Sequence, residues 1–252
     1  NIFSLFKKSA ILNLSHLFFF KLIVSQFSFL DKRSFIIYNY NIKRIVYMKN
    51  IVDVLRSAIF AGVFIGVAGF GFLTATIQSS YGSLFGSVLF ALGLLAIVGY
   101  KLKLFTGTAG FISLNEIGDL LVILLGNIIG CFLLGQLTRF SPMADAIQMT
   151  AYNIMATRIQ TGVIGCGLLA IGCGLLMTTA VNFAREKNFL PLIFGVPLFI
   201  VCGFPHCVAD AFYYLTVPFS NWDTDILYVY LATILGNAIG CNLYRIILKI
   251  EK

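Results

Sequence analysis

One histidine, His206, lies among mostly apolar residues, in the sequence Cys202-Gly203-Phe204-Pro205-His206-Cys207-Val208-Ala209-Asp210. Histidine has an unperturbed pKa near 6.5, so it is the side chain best suited to exchange a proton near neutral pH. The alternative is a structural role, in which a buried His206 is hydrogen-bonded to the backbone. We favour proton exchange, because the adjacent glycine and proline interrupt a regular helix at this point.

A second polar interruption of an apolar run is Lys101-Leu102-Lys103-Leu104-Phe105-Thr106-Gly107-Thr108-Ala109-Gly110. Lys101 and Lys103 either attract an anion or extend to a membrane interface, and the sequence leaves both roles open. Asp210 lies in an apolar stretch and is costly there unless a cation pairs with it. Lys103 is the partner that we hypothesise.

The other residue types give little support for an enzyme. The chain has two histidines, His16 and His206, and contains no Ser-His-Asp set, HExxH motif or phosphate-binding loop. The six cysteines form no Cys-x-x-Cys pair and fit small packing residues. We therefore expect no enzymatic activity, no cofactor, no metal site and no nucleic-acid partner.

The composition indicates that lipid, rather than water, surrounds most of the chain. Of 252 residues, 59% are hydrophobic and 11% are charged, whereas soluble domains carry about 25% charged residues. The mean hydropathy is +0.94, and apolar runs of about 20 residues recur, which is the length of a membrane-spanning helix. The sequence thus predicts an all-α membrane protein embedded in a lipid bilayer.

Residues 1–47 differ from the rest of the chain. They contain seven Lys/Arg and one Asp, and no Gly, and 33 of the 47 are Phe, Ile, Leu, Lys, Asn or Tyr. Two hypotheses fit: translated upstream sequence with Met48 as the natural start, which we favour, or a basic amphipathic arm on the membrane. We expect a basic N-terminal segment at 1–47 that is non-native or disordered, and a six-helix transmembrane channel domain at 48–252.

Six spans are predicted. Basic residues flank one set of span ends, near Lys49, Arg185, Lys187 and Arg245, so we expect both termini in the cytoplasm and the chain in the cell (inner) membrane. Arg158 is placed in a longer loop at the opposite, outer ends. The predicted spans are 51–77, 83–103, 120–137, 159–183, one from 190 that is interrupted near 203, and 225–248.

The chain contains an internal repeat. Each polar interruption is followed by a helix with the pattern Gly-Asn-x-x-Gly, at 126–130 and 236–240. Three spans separate the copies, so the second copy is inverted in the membrane, and such repeats with broken helices place a substrate site between the halves. The paired glycines predict close helix contacts. Asn127 and Asn237 either link helices, the favoured role, or line the pore.

These motifs resemble the formate/nitrite transporter family. The resemblance rests on Leu104-Phe105-Thr106-Gly107, on Gly-Phe-x-His-x-x-Ala at 203–209, on both Gly-Asn-x-x-Gly helices and on Phe90-Ala91-Leu92-Gly93-Leu94. It implies an aquaporin-like fold of six spans, an inverted repeat with two broken helices, and a homopentamer with one pore in each subunit. Aquaporins themselves carry Asn-Pro-Ala boxes, which this sequence does not contain.

The resemblance also implies roles for particular residues. His206 would be the central pore histidine, with Thr106 as its loop partner. Pro205, Asp210 and Lys103 depart from the family pattern, which has Glu, Asn and an acidic residue at these places. The residues expected to line the pore or contact substrate are His206, Thr106, Phe90, Leu94, Leu104, Phe105, Phe199, Asn127, Asn237 and Lys103.

The predicted function is a channel or transporter for small monovalent anions or their conjugate acids, such as formate, nitrite, hydrosulfide or short monocarboxylates. Apolar rings would exclude a bare anion, and protonation at or near His206 would allow the neutral acid to pass. The alternative is a proton-coupled secondary transporter that works by alternating access on a different small anion.

Overall fold

A computed structural model of the chain describes residues 32–111, 113 and 116–248, and of these only the backbone at 32–49 and 248. The chain divides into two units at residue 50, and the described residues from Ile51 onward belong to the second. All of the predicted site residues belong to the second unit. His16 and most of the segment 1–47 lie outside the described residues, so the two hypotheses on that segment stay predictions.

The described residues form eight α-helices, two short 3-10 turns and no strand. The turns are Thr138–Phe140 and Phe219–Asn221. The helices are α1 (Lys32–Gln78), α2 (Gly82–Gly99), α3 (Phe105–Thr108), α4 (Ile117–Leu137), α5 (Ala144–Arg185), α6 (Leu190–Val201), α7 (Cys207–Thr216) and α8 (Asp225–Leu248).

Five of the described helices are long and apolar enough to cross a membrane: Asn50–Gln78, Gly82–Gly99, Ile117–Phe140, Ala144–Arg185 and Asp225–Ile247. The shorter α6 is apolar too, and α7 continues it after a break at 202–206. Leu125, Ile164 and Leu235 are each more than half exposed, which suits side chains that contact lipid or a neighbouring subunit. The protein is a multi-pass, all-α membrane protein, and the count of six spans stays a prediction.

One predicted span boundary is wrong, and one predicted loop is helical. Residues 144–158, assigned to a loop, belong to α5, and the start of the fourth span near Ile159 stays a prediction because Gly162 divides α5 into two helical segments there. Gly162 kinks this helix with φ of 75°, a backbone conformation that only glycine adopts readily. The second span ends at Gly99 rather than at Lys103, and Lys101 follows with a left-handed φ of 56°.

The glycine pairs lie at close helix contacts, as the sequence predicts. In the first half a Cβ on Gly62 or Gly130 would collide with the backbone at Asn127 or Ile59, so α1 and α4 touch through their backbones. In the second half the same holds for α5 and α8, where Gly236 faces the carbonyl of Gly167. The two halves thus share one packing arrangement, which places α3 and α7 at equivalent positions.

Replacing Gly236 by alanine is expected to lower the free energy of unfolding by about 1–3 kcal/mol, because the new methyl group meets a backbone oxygen that cannot move aside. Gly71→Ala in α1 is the matched control. Nothing lies within 4 Å of the position that its new methyl group would take, so this change is expected to be neutral or to stabilise by up to about 1 kcal/mol. Thermal unfolding of the detergent-purified protein measures both, and equal midpoints would contradict the prediction.

Candidate functional site

Two asparagines hold the broken helices in place through equivalent hydrogen bonds. The Asn127 side chain accepts from the Phe105 N–H (2.9 Å) and donates to the carbonyls of Lys103 and Ala58. Asn237 accepts from the Cys207 N–H (2.8 Å) and donates to the carbonyls of Pro205 and Ala170. Each amide thus satisfies two backbone groups where a short half-helix, α3 or α7, begins and ties them to a long helix.

Both asparagine side chains are fully buried, and their hydrogen bonds match the helix-linking role rather than a free pore-lining amide. Each occupies the first N–H of a half-helix, a group that an anion would otherwise meet. Two thiols add to this bracing, because Cys131 donates to the Val208 carbonyl and Cys241 to the Thr106 carbonyl. Each half of the repeat therefore braces the half-helix of the other half.

His206 is the N-cap of α7. Its Nδ1 accepts the N–H of Ala209 at 3.1 Å, and this bond forms only while Nδ1 carries no proton. The neutral ring then carries its proton on Nε2, which lies 2.9 Å from Thr106 Oγ1. The N–H of Nε2 donates to that oxygen, so the Thr106 hydroxyl proton is left to point at another acceptor.

The four large apolar side chains predicted for the pore are buried, and each is at most 3% exposed. The Phe199 ring stacks on the His206 ring, with 5.6 Å between centroids, and meets Phe90 edge-on at 6.2 Å. Leu94 and Leu104 are the other two, and both line a cavity of about 550 Å³. Side chains of this kind exclude water from the neighbourhood of a polar pair.

Two cavities adjoin the site. The lysine cavity, about 550 Å³, is lined by Leu94 and Leu104 together with the cations Lys101, Lys103, Arg185 and Lys187. The histidine cavity, about 190 Å³, is lined by His206 and Phe199 together with Arg158, Asp210 and Tyr213. A wider groove of about 680 Å³ between α1 and α2 contains none of the predicted site residues.

The hypothesised Lys103–Asp210 pair is wrong. Asp210, 1% exposed, pairs instead with Arg158, whose Nε lies 3.3 Å from Asp210 Oδ2. The Lys103 side chain is exposed at the lysine cavity. A second guanidinium bond runs from Arg158 to the carbonyl of Gly203, inside the break. Arg158 therefore lies on a helix at the site and not in a loop.

The structure brings together most of the predicted site residues. Phe105 is buried at the start of α3 and contributes a backbone donor to Asn127. Arg158 is the residue that sequence reasoning missed, and a lone arginine only four positions before the Gly162 kink was the available signal. Among the described residues, no group of three or more His, Cys, Asp or Glu side chains is arranged to hold a metal ion.

Comparisons with known proteins agree with this geometry. The sequence model of the formate/nitrite transporter family matches residues 42–249. The formate channel FocA of Haemophilus influenzae is 29% identical over an alignment of 181 residues that covers 62% of this chain and 63% of that protein. The chain therefore spans about 63% of the length of that curated relative.

Two solved structures share the fold. One is a pentameric formate channel with formate bound, with a TM-score of 0.66 and 19% identity, over 81% of this chain and 99% of that one. The other is an FNT family ion channel, with a TM-score of 0.64 and 20% identity, over 79% of this chain and 89% of that one.

Proposed function

Because the chain belongs to the formate/nitrite transporter family, we propose that it passes small monovalent anions or their conjugate acids across the membrane. Formate, nitrite, hydrosulfide and short monocarboxylates are the candidate substrates. The observation that carries the proposal is the buried, hydrogen-bonded His206–Thr106 pair. His206 lines the histidine cavity, and Leu104 and Gly107, on either side of Thr106 in the sequence, line the lysine cavity.

The lysine cavity supports the capture of an anion. Lys101, Lys103, Arg185 and Lys187 line it, and no carboxylate is among the residues that line it. A concave surface that carries charge of one sign raises the local concentration of the opposite ion. An anion collected there meets Leu94 and Leu104 next.

The apolar side chains favour passage of the neutral acid. The idealised cost of moving a small ion from water into a medium of low dielectric constant is of order 20 kcal/mol, less after relaxation. A weak acid that gains a proton at this point avoids most of that cost. Phe90, Leu94, Leu104 and Phe199 would then select for acids that are small and protonatable.

The His206–Thr106 pair supports the proton step. A hydronium ion in the histidine cavity, which His206 lines, first protonates Nδ1 and becomes water, and the bond from the Ala209 N–H to Nδ1 opens. The imidazolium then passes its Nε2 proton to Thr106 Oγ1 while Thr106 gives its hydroxyl proton to the anion, and the ring is neutral again. One proton accompanies each anion, so the net passage is of the neutral acid.

The solved relative described as a pentameric formate channel supports a homopentamer with one conduit per subunit. Basic residues near the membrane ends of α1, α5 and α8, Arg56, Arg185 and Arg245 among them, support cytoplasmic termini in the cell membrane. Under this orientation the lysine cavity opens to the cytoplasm.

The test is flux through liposomes that contain the purified protein, with formate, nitrite and hydrosulfide each followed between pH 5 and 8. We expect at least one of the three to pass faster than through empty liposomes, with uptake that increases as the pH falls. Strict counter-exchange would instead support the alternating-access transporter. No passage of any of the three by intact oligomers would overturn the proposed substrates.

A further inference from the structure

Arg158 is fixed at the histidine cavity by three contacts. Its Nε lies 3.3 Å from Asp210 Oδ2 and its Nη2 donates to Asp210 Oδ1 at 3.4 Å. Its Nη1 donates to the carbonyl of Gly203. The side chains of Arg158 and Asp210 are 13% and 1% exposed, so the arginine still reaches the cavity while the carboxylate is enclosed beside it.

This pair decides the charge that an anion meets in the histidine cavity. Among the residues that line it, Arg158 and Asp210 are the only charged ones, and their charges cancel. His206 adds no charge, because its Nδ1 accepts a hydrogen bond. An anion in this cavity meets an ion pair with no net charge, whose field decays faster with distance than that of a single cation.

The lysine cavity is the opposite case. None of its four cations forms an ion pair with a carboxylate of the described residues, where the ion pairs are Arg56–Asp53 and Arg158–Asp210. Two of them, Lys101 and Lys187, have left-handed backbone with φ of 56° and 65°. Non-glycine residues adopt this conformation at a cost, and such outliers cluster at functional sites.

We propose that the histidine cavity is the entrance from the side of the membrane opposite the lysine cavity, and that Asp210 makes anion loading asymmetric because it cancels the charge of Arg158 and leaves the lysine cavity as the high-affinity entrance. This inference rests on the proposed function. It assigns Asp210 as the residue that lowers the affinity of the histidine cavity for an anion. A passive pore still shows no net flux at equal concentrations. The asymmetry lies in the anion concentration that half-saturates transport from each side.

The experiment compares right-side-out and inside-out membrane vesicles from cells that express the full chain. Initial formate uptake is measured against formate concentration in both. In the wild type we expect the two half-saturating concentrations to differ by roughly tenfold, from the unequal charge at the two entrances. Asp210→Asn leaves the charge of Arg158 without a counter-charge. It is expected to lower the half-saturating formate concentration on the histidine-cavity side, the higher of the two values, by roughly tenfold and to leave the lower value unchanged.

Three variants separate charge from structure. Arg158→Gln leaves the Asp210 carboxylate without its cation and is expected to increase the higher half-saturating concentration. The inference is therefore testable even if D210N does not assemble. The double variant R158Q/D210N restores the net charge and returns the higher value to that of the wild type. Asp225→Asn removes the same charge from an exposed position at the start of α8 and leaves both values unchanged.

A readout that needs no transport separates this inference from the proposed function. The midpoint of thermal unfolding of purified protein, followed by the fluorescence of Trp222, the single tryptophan, should rise more with added formate in D210N than in the wild type. The inference is overturned if the wild type has equal half-saturating formate concentrations in the two kinds of vesicle. It is also overturned if assembled D210N leaves the higher of the two concentrations unchanged. Absence of uptake in the wild type rejects the proposed function, and the formate-dependent midpoints then decide the inference.

Discussion

Replacing His206 by asparagine is expected to lower formate flux by roughly 100-fold at neutral pH, which is within the range lost when a positioned acid or base is removed. Asparagine is a good N-cap residue, so its side-chain oxygen can still accept the N–H of Ala209, and α7 stays capped. It cannot exchange a proton near neutral pH. The remaining flux should therefore lose the increase that the wild type shows as the pH falls from 8 to 5.

Liposome flux measured across that pH range tests this prediction, with variants of Thr106 as matched controls. Thr106→Ser keeps the hydroxyl that lies 2.9 Å from His206 Nε2 and should keep most of the flux and its pH dependence. Thr106→Val keeps the shape and removes the hydroxyl, and it should resemble H206N. If H206N retained the pH dependence of the wild type, a direct proton role for His206 would be excluded.

The features that the sequence predicts well are those that neighbouring residues determine. Apolar runs indicate the long helices, and the Gly-Asn-x-x-Gly pattern indicates close packing, because a helix places residues four apart on one face. The break around His206 is visible for the same reason, since Gly203 and Pro205 interrupt the helix locally. The pairing of His206 with Thr106 spans 100 positions, and it came only from the family resemblance.

The Arg158–Asp210 pair shows what local patterns cannot provide. The segment before Ile159 contains Gln148, Asn153 and Arg158, and its polarity suggests a loop rather than a helix end. Burial of the arginine becomes favourable only because Asp210 and the Gly203 carbonyl, 52 and 45 positions away, meet it in the folded chain. Lys103 lies beside the other break, but its side chain is exposed at the lysine cavity, whereas Asp210 lines the histidine cavity together with Arg158.

Replacing Asn237 by leucine is expected to lower the free energy of unfolding by about 2–6 kcal/mol. The change removes the acceptor of the Cys207 N–H and the donor to the Pro205 carbonyl, and both groups belong to the break, where no helix supplies a substitute. Each buried polar group left without a partner costs about 1–3 kcal/mol. The Ala170 carbonyl lies within α5 and should matter less, since the helix already provides it with a donor.

Asn242→Leu on the same helix is the matched control. Asn242 is only half-buried, and the one long-range bond of its side chain goes to the Ala109 carbonyl, so its loss should cost about 1 kcal/mol. Thermal unfolding in detergent ranks the two variants, and equal midpoints would contradict the bracing role. Because Cys207 directly follows His206, N237L should also displace the imidazole from Thr106. A folded N237L protein is therefore expected to lose the pH dependence of flux as H206N does, although residue 237 carries no proton.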